Sequence, residues 1–278
     1  WNMTLGAIQD NKIVKDISKR IAEQNKLLGI HYNFSPVVDV NSNPINPIIG
    51  NRSFGEDPEN VYQKAKAYIK GHDEVGIITS LKHFPGHGDT SNDSHKTLPE
   101  IKSNLKRLNE VELYPFKKLI DDNIVSSIMA AHILYPALDK KYPSSISEKI
   151  VKNLLKDKLG FDGLIVTDAL DMQGVLQDKR INVDLRAFLV GNDILLMSTD
   201  VAKGISSISN AYKKGQISEN RLSSSVKKIL LAKANANLNK YVPIPSESIL
   251  EKLNTTKDTL LYAKAMESAT TLLKNKDD

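Results

Sequence analysis

Half of the chain's six histidines fall in one 13-residue window, His83 to His95. The run is Lys82-His83-Phe84-Pro85-Gly86-His87-Gly88-Asp89-Thr90-Ser91-Asn92-Asp93-Ser94-His95. Its glycines let the backbone turn sharply and come close to a ligand. Asp93 stands two residues from His95, near enough for its carboxylate to hold the imidazole and raise its basicity. An imidazole poised near neutral pH can donate a proton and then take one back, which is general acid–base chemistry. On residue types alone two other readings stay open. His83, His87, Asp89 and His95 form an imidazole/carboxylate set that suits zinc, and the loop is equally open to a structural role in which polar side chains cap its turns.

Three further positions carry chemistry. Asp168 follows the apolar run Gly163-Leu164-Ile165-Val166-Thr167, so it projects from the end of a strand; there it is a candidate nucleophile or a helix cap. Arg52, in Gly50-Asn51-Arg52-Ser53-Phe54-Gly55, can clamp a substrate oxygen or tie its loop to a carboxylate such as Asp57. His132 ends another strand and reads as a core or rim histidine with its hydrogen bonds satisfied.

These residues need elements to hold them. Short β-type runs alternate with helical-period stretches: strands over 32–40, 77–84, 125–133, 163–167 and 193–197, with helices over 12–28, 58–74, 109–121 and 147–159 between them. Asn11 is the expected cap of the first helix. A strand, a helix and another strand in regular succession is what parallel βα units require. Apolar strands without alternation are expected to be buried on both faces. Chemistry at strand ends then falls where such folds build their sites. Beyond residue 200 the pattern turns helical, with helices expected over 201–214, 218–238 (Ser218 as cap) and 246–268; Pro243 and Pro245 mark a stiff linker between the last two.

Composition narrows the class. The chain has 278 residues, 40% hydrophobic and 26% charged, with no cysteine. That excludes disorder, disulfide scaffolds and thiol chemistry. No apolar run approaches the ~20 residues of a spanning helix. The net charge of +5 comes from the last part of the chain, where residues 201–278 carry 13 basic and 7 acidic side chains. Those lysines, such as Lys213, Lys214, Lys227, Lys228 and Lys233, lie on helical sequence without interleaved aromatics, so a solvated helix face is expected and a nucleic-acid partner is not. Dinucleotide, P-loop, HExxH, GxSxG and EF-hand signatures are absent from the sequence.

The blocks NFSPVVDVNSNPINPIIGNRSFGEDPE, LKHFPGHGDTSNDSHKTLP, FDGLIVTDALDMQGV and VGNDILLM, in this order, resemble the catalytic barrel of glycoside hydrolase family 3, in its β-N-acetylglucosaminidase branch. The resemblance implies a TIM-type (β/α)8 barrel over residues 1–240 and, over 241–278, a linker and the start of a second domain. Asp168 matches the family's nucleophile, His95 its acid/base and Asp93 the partner of that histidine. Arg52, Lys82 and His83 match residues that hold the sugar. The implied reaction is retaining exo-hydrolysis of terminal β-linked N-acetylglucosamine, without metal or cofactor, on a sugar or oligosaccharide substrate such as a peptidoglycan or chitin fragment. β-Glucosidase or glycoside phosphorylase activity, a metal-dependent hydrolase and an inactive carbohydrate-binding fragment are the competing expectations.

Departures from the pattern set further expectations. Five strands are found where the fold has eight, and the family's Asp-x-Glu-Gly-Gly-type block has no counterpart before Trp1, so an incomplete barrel lacking its first strands is expected. A signal region is expected to lie outside the chain, leaving bacterial cytoplasm and periplasm both open.

Overall fold

The computed structural model of the chain describes residues 1–91, 97–176, 181–240, 242–244 and 247–272. After a short helix α1 (Asn2–Ala7), helix α2 (Asn11–Leu27) sets Ile13, Val14, Ser18 and Ala22 against the interior. Its N-cap is Asp10, whose carboxylate accepts from Lys12 N at 2.9 Å, rather than Asn11. An acceptor one position earlier reaches the free amides of the first turn. Helix α3 (Pro58–Asp73) is capped by Asp57, which accepts from Asn60 N at 2.7 Å, with Pro58 at the position where a missing N–H costs nothing. The two helices pack closely because Gly71 lacks a β-carbon, which would stand 2.5 Å from Lys15 O.

The strands are short, parallel and joined in chain order. β1 (Tyr32–Asn33) pairs with β2 (Ile78–Thr79), and Val37 bridges Lys82 in β3 (Leu81–Phe84). β3 pairs with β4 (Ser127–Ala130), and β4 with β5 (Leu164–Thr167). Val166 of β5 then bridges Ile194. The segments 32–37, 78–84, 127–130, 164–167 and Ile194 thus neighbour one another in chain order. A doubly wound sheet would instead reverse direction part-way. Among the described residues the strands do not close into a barrel. All four residues of both β4 and β5 are buried, as expected for a parallel sheet covered on both faces. Phe84 meets Phe116 edge-on at 5.2 Å in the main core, where Leu81, Ile128 and Ile165 lie with Ile69, Leu119 and Leu155.

Several elements depart from the sequence pattern. The 32–40 strand divides into β1 and the Val37 bridge, with a cis Ser35–Pro36 peptide between them. The 193–197 strand is reduced to a β-bridge at Ile194, flanked by the backbone hydrogen bonds of Asp193 N to Ile165 O and Leu170 N to Leu196 O. The 109–121 helix is two, α4 (Leu105–Glu110) and α5 (Tyr114–Asp121), because Pro115 fits only the first turn of a helix. The 147–159 segment forms a π-wound helix over Lys149–Lys158.

Helices α6 (Val183–Val190), α7 (Val201–Lys213) and α8 (Glu219–Asn235) follow, with Ser218 capping α8 as its sequence predicts. Lys228 is not a solvated side chain, however. Its Nζ donates to Gly163 O at 2.9 Å and lies 3.6 Å from the buried Asp193 carboxylate, pinning α8 to the start of β5.

The expected 246–268 helix also divides, into α9 (Ile249–Leu253) and α10 (Thr256–Ser268). Thr255 and Asp258 form a reciprocal capping box, which begins a new helix. This end of the chain packs on α2. Arg20 forks onto the Asp258 carboxylate and reaches Lys252 O at 2.6 Å, Gln24 donates to Leu253 O at 2.7 Å, and Ala265 is buried with Ile8, Ile13 and Val14. No described helix is long and apolar enough to cross a membrane.

Candidate active site

Because the strands are parallel, their C-terminal ends lie together. Residues in or just after them meet there: Asp39 after the Val37 bridge, Lys82 and His83 within β3, His132 after β4 and Asp168 after β5. A pocket of about 160 Å³ opens among Arg52, Lys82, His83, His87 and Asp168, with Phe34 and Met129 as apolar wall. That is below the ~300–1,000 Å³ of drug-sized sites and suits one small ring. A larger cleft of about 380 Å³ opens at the opposite strand ends beside α8, remote from these groups; its cation, Lys228, is already engaged.

Asp39 organises the site from beneath. It is fully buried, and its Oδ1 accepts from the amides of His83 (3.1 Å) and His87 (2.7 Å), while Oδ2 lies 2.7 Å from His83 Nδ1. Burial opposes its charge, but the charge and hydrogen bonds of His83, with a contribution from His87, carry its pKa below the ordinary carboxylate value. The sequence reading did not single Asp39 out. Its signal was an acid inside the apolar run Val37-Val38-Asp39-Val40, where a buried carboxylate must find donors.

Asp168 sits in the pocket and accepts from Ala169 N at 2.9 Å. Burial pushes its pKa up, but His83, His132, the Ala169 amide and Lys82 together bring it below the usual range, so it is ionised at neutral pH. Burial, and then the neighbouring Arg52 charge, lower the pKa of Lys82. Burial and the neighbouring His83 lower that of His87 to about 4, so its ring is neutral. His87 Nδ1 stands 2.8 Å from Thr90 Oγ1, and that hydroxyl donates to His87 O, which makes Nδ1 the donor.

His132 is buried with both ring nitrogens engaged, by Ser145 Oγ at 2.6 Å and Ala169 O at 2.9 Å. It is a satisfied core histidine, as its position predicts, and it braces the segment that carries Asp168. Arg52 donates to Ile48 O at 3.0 Å and does not pair with Asp57, whose carboxylate caps α3. Asn46, also missed, ties the Asn/Pro loop to the histidine loop. Its amide donates to His87 O (2.8 Å) and Gly88 O (3.0 Å), and its carbonyl accepts from Ile48 N and Ile49 N.

Asp93 and His95 lie outside the described residues. Of the zinc-type set, His83 Nδ1 is held by Asp39, and Asp89 accepts from Ser103 Oγ at 3.2 Å. No group of three His, Cys, Asp or Glu among the described residues could hold a metal ion. The arrangement instead offers one ionised carboxylate facing a small pocket lined by cations and imidazoles. It can deliver a nucleophile to an electrophilic carbon and hydrogen-bond a polyhydroxylated ring.

The profile of the glycosyl hydrolase family 3 N terminal domain matches residues 1–232. Beta-hexosaminidase A of Pseudoalteromonas piscicida is 35% identical over 252 residues, 82% of this chain and 42% of that protein. The solved structure of a glycoside hydrolase family 3 beta-N-acetylglucosaminidase from Paenibacillus sp. superposes on 100% of this chain and 53% of its own, with TM-score 0.91 and 33% identity. Beta-glucoside phosphorylase BglX superposes on 95% of this chain and 50% of its own, with TM-score 0.88 and 25% identity. The chain spans about half the length of these relatives.

Proposed function

The chain belongs to glycosyl hydrolase family 3, and from that membership we propose that it forms the catalytic part of a retaining exo-glycosidase that removes terminal β-linked N-acetylglucosamine. The observation that carries this reading is the ionised Asp168 at a strand end, facing a ring-sized pocket with Lys82, His83 and Arg52. In the first step Asp168 attacks the anomeric carbon, the glycosidic bond breaks, and the leaving oxygen takes a proton from His95, which Asp93 steadies. In the second, His95 takes a proton from water, and that water displaces Asp168 from the sugar. Retaining glycosidases usually set two carboxyls ~5–5.5 Å apart. A histidine as acid/base adds no second negative charge beside Asp168, which leaves the nucleophile ionised. Arg52, Lys82 and His83 would hold ring hydroxyls.

We read residues 1–240 as part of a (β/α)8-type barrel domain and 241–278 as a linker and the start of a second domain. The consecutive parallel strand order supports the barrel, since that order is how such a barrel winds. The same cationic lining favours one alternative: Arg52 and Lys82 would also attract phosphate in place of water, giving a phosphorylase.

The deciding assay is release of nitrophenol from its β-N-acetylglucosaminide, with and without phosphate. Hydrolysis that Asp168→Asn abolishes is the expected result. Equal turnover of the β-glucoside would sink the sugar assignment, and a phosphate requirement with sugar 1-phosphate as product would favour the phosphorylase.

A further inference from the structure

Asp39 touches no pocket space, yet it makes three contacts to the two histidines that line the pocket. All three are donor-to-carboxylate contacts, and they differ in what they demand. The two amides on Oδ1 can only donate, so Oδ1 must be an oxygen. The contact of Oδ2 with His83 Nδ1, at 2.7 Å, is a hydrogen bond only if Nδ1 carries the proton, because an ionised carboxylate has none to give. With Nδ1 committed to Asp39, Nε2 is the nitrogen left for the pocket, and His83 cannot turn over without breaking this bond.

We propose that Asp39 is a positioning residue that fixes both the ring orientation and the Nδ1–H form of His83, presenting Nε2 to a hydroxyl of the bound sugar. The ligand-facing half of this inference rests on the glycosidase reading; the tautomer half does not. The same carboxylate sets the His83 and His87 amides, so the ring and the backbone beneath it are held as one unit. The arrangement parallels the carboxylate behind a metal-bound or catalytic histidine, whose removal alters the tautomer more than the fold.

Asp39→Asn separates these roles. The two amides pin the asparagine carbonyl oxygen where Oδ1 now lies, because the reverse orientation would set an NH₂ against two N–H donors. The NH₂ group therefore faces His83 Nδ1 and can be satisfied only by a bare nitrogen. The substitution keeps the backbone cradle and inverts the tautomer.

The experiment is long-range ¹H–¹⁵N correlation of the imidazoles in the whole chain at pH 8, with the His83 signals assigned through His83→Gln. The expected result is a protonated His83 Nδ1 in the parent and a bare Nδ1 with a protonated Nε2 in Asp39→Asn. A bare Nδ1 in the parent, or the same form in both proteins, overturns the proposal. The parent spectrum decides even where the variant does not fold. Calorimetric titration with N-acetylglucosamine forms the second arm. Affinity is expected to fall on the order of 10-fold in Asp39→Asn with thermal unfolding little changed, and equal affinity overturns the ligand-facing half. A parent that binds no sugar but shows the protonated Nδ1 counts against the glycosidase reading and upholds the positioning role.

Discussion

Gly88 lies so close to the Val40 carbonyl that a β-carbon on it would stand 1.6 Å from the oxygen. The histidine loop is thereby seated on the end of the first strand segment, and Asn46 clamps the same point through the carbonyls of His87 and Gly88.

Gly88→Ala is accordingly expected to lift the loop from its seat. Forcing an atom into such a contact costs about 1–3 kcal/mol. Urea unfolding will show the loss of stability. Sugar binding should weaken by more than that figure implies, because His87 and the amide network of Asp39 move with the loop. Unchanged binding would show that the seat does not position the pocket.

His72 and His87 predict a specific acid response. Burial lowers both pKa values to about 4, so both rings are neutral in the folded chain. In the unfolded chain they titrate near 6.5, so between roughly pH 6.5 and 4 that state binds more protons. Their contribution is present in full above pH 6.5 and is lost as pH falls through 4, by up to ~3 kcal/mol for each ring. Urea midpoints at pH 7, 5.5 and 4.5 will trace the decline. His72→Gln should flatten about half of it, since that variant removes one of the two rings.

The His72 network also assigns a proton. Ser18 Oγ donates to Tyr68 O and lies 2.7 Å from His72 Nδ1, while Asn33 Nδ2 lies 2.9 Å from Nε2. The serine hydrogen is committed, so Nδ1 is the donor and Nε2 accepts from Asn33. Ser18→Ala should therefore take a buried hydrogen-bond partner from both the His72 ring and Tyr68 O and destabilise by about 1–3 kcal/mol, measurable as a lower unfolding midpoint with the sugar pocket intact.

Arg20 and Asp258 join α2 to α10, and the guanidinium holds the Asp258 pKa down at about 2. Arg20→Ala should expose the 247–272 segment to proteolysis several-fold faster than the parent, while the imidazole spectra of His83 and His87 stay unchanged. Equal cleavage rates would show that the remaining contacts, such as those of Gln24 and Ala265, hold this segment unaided.

His132→Ala should disturb Asp168 through the backbone. It removes the donor to Ala169 O and opens a void beneath the strand end. Under the glycosidase reading kcat falls on the order of 10–100-fold with KM less affected; a fall in KM-dependent binding alone would argue that His132 acts on the pocket shape.

Much of this was legible in the chain itself. Parallel βα order, the helix cap at Ser218, and the placement of Lys82, His83 and Asp168 at or near strand ends follow from local rules: period, capping and the apolar content of strands. Where the pattern misread an element, the cause was also local. Pro115 divides one helix, and the Thr255–Asp258 box starts another.

What only the tertiary structure decided is how these ends face one another. Asp39 stands far from His83 and His87 in sequence, and no spacing rule links them; only the parallel pairing of Val37 with Lys82 sets that carboxylate beneath the two amides. Lys228, a surface lysine by pattern, becomes a pin because Asp193 is buried beside it. The physical reason is common to both. Residue type and period report what a side chain can do with its near neighbours along the chain, whereas the partners of a buried charge come from whichever distant strand the packing brings alongside.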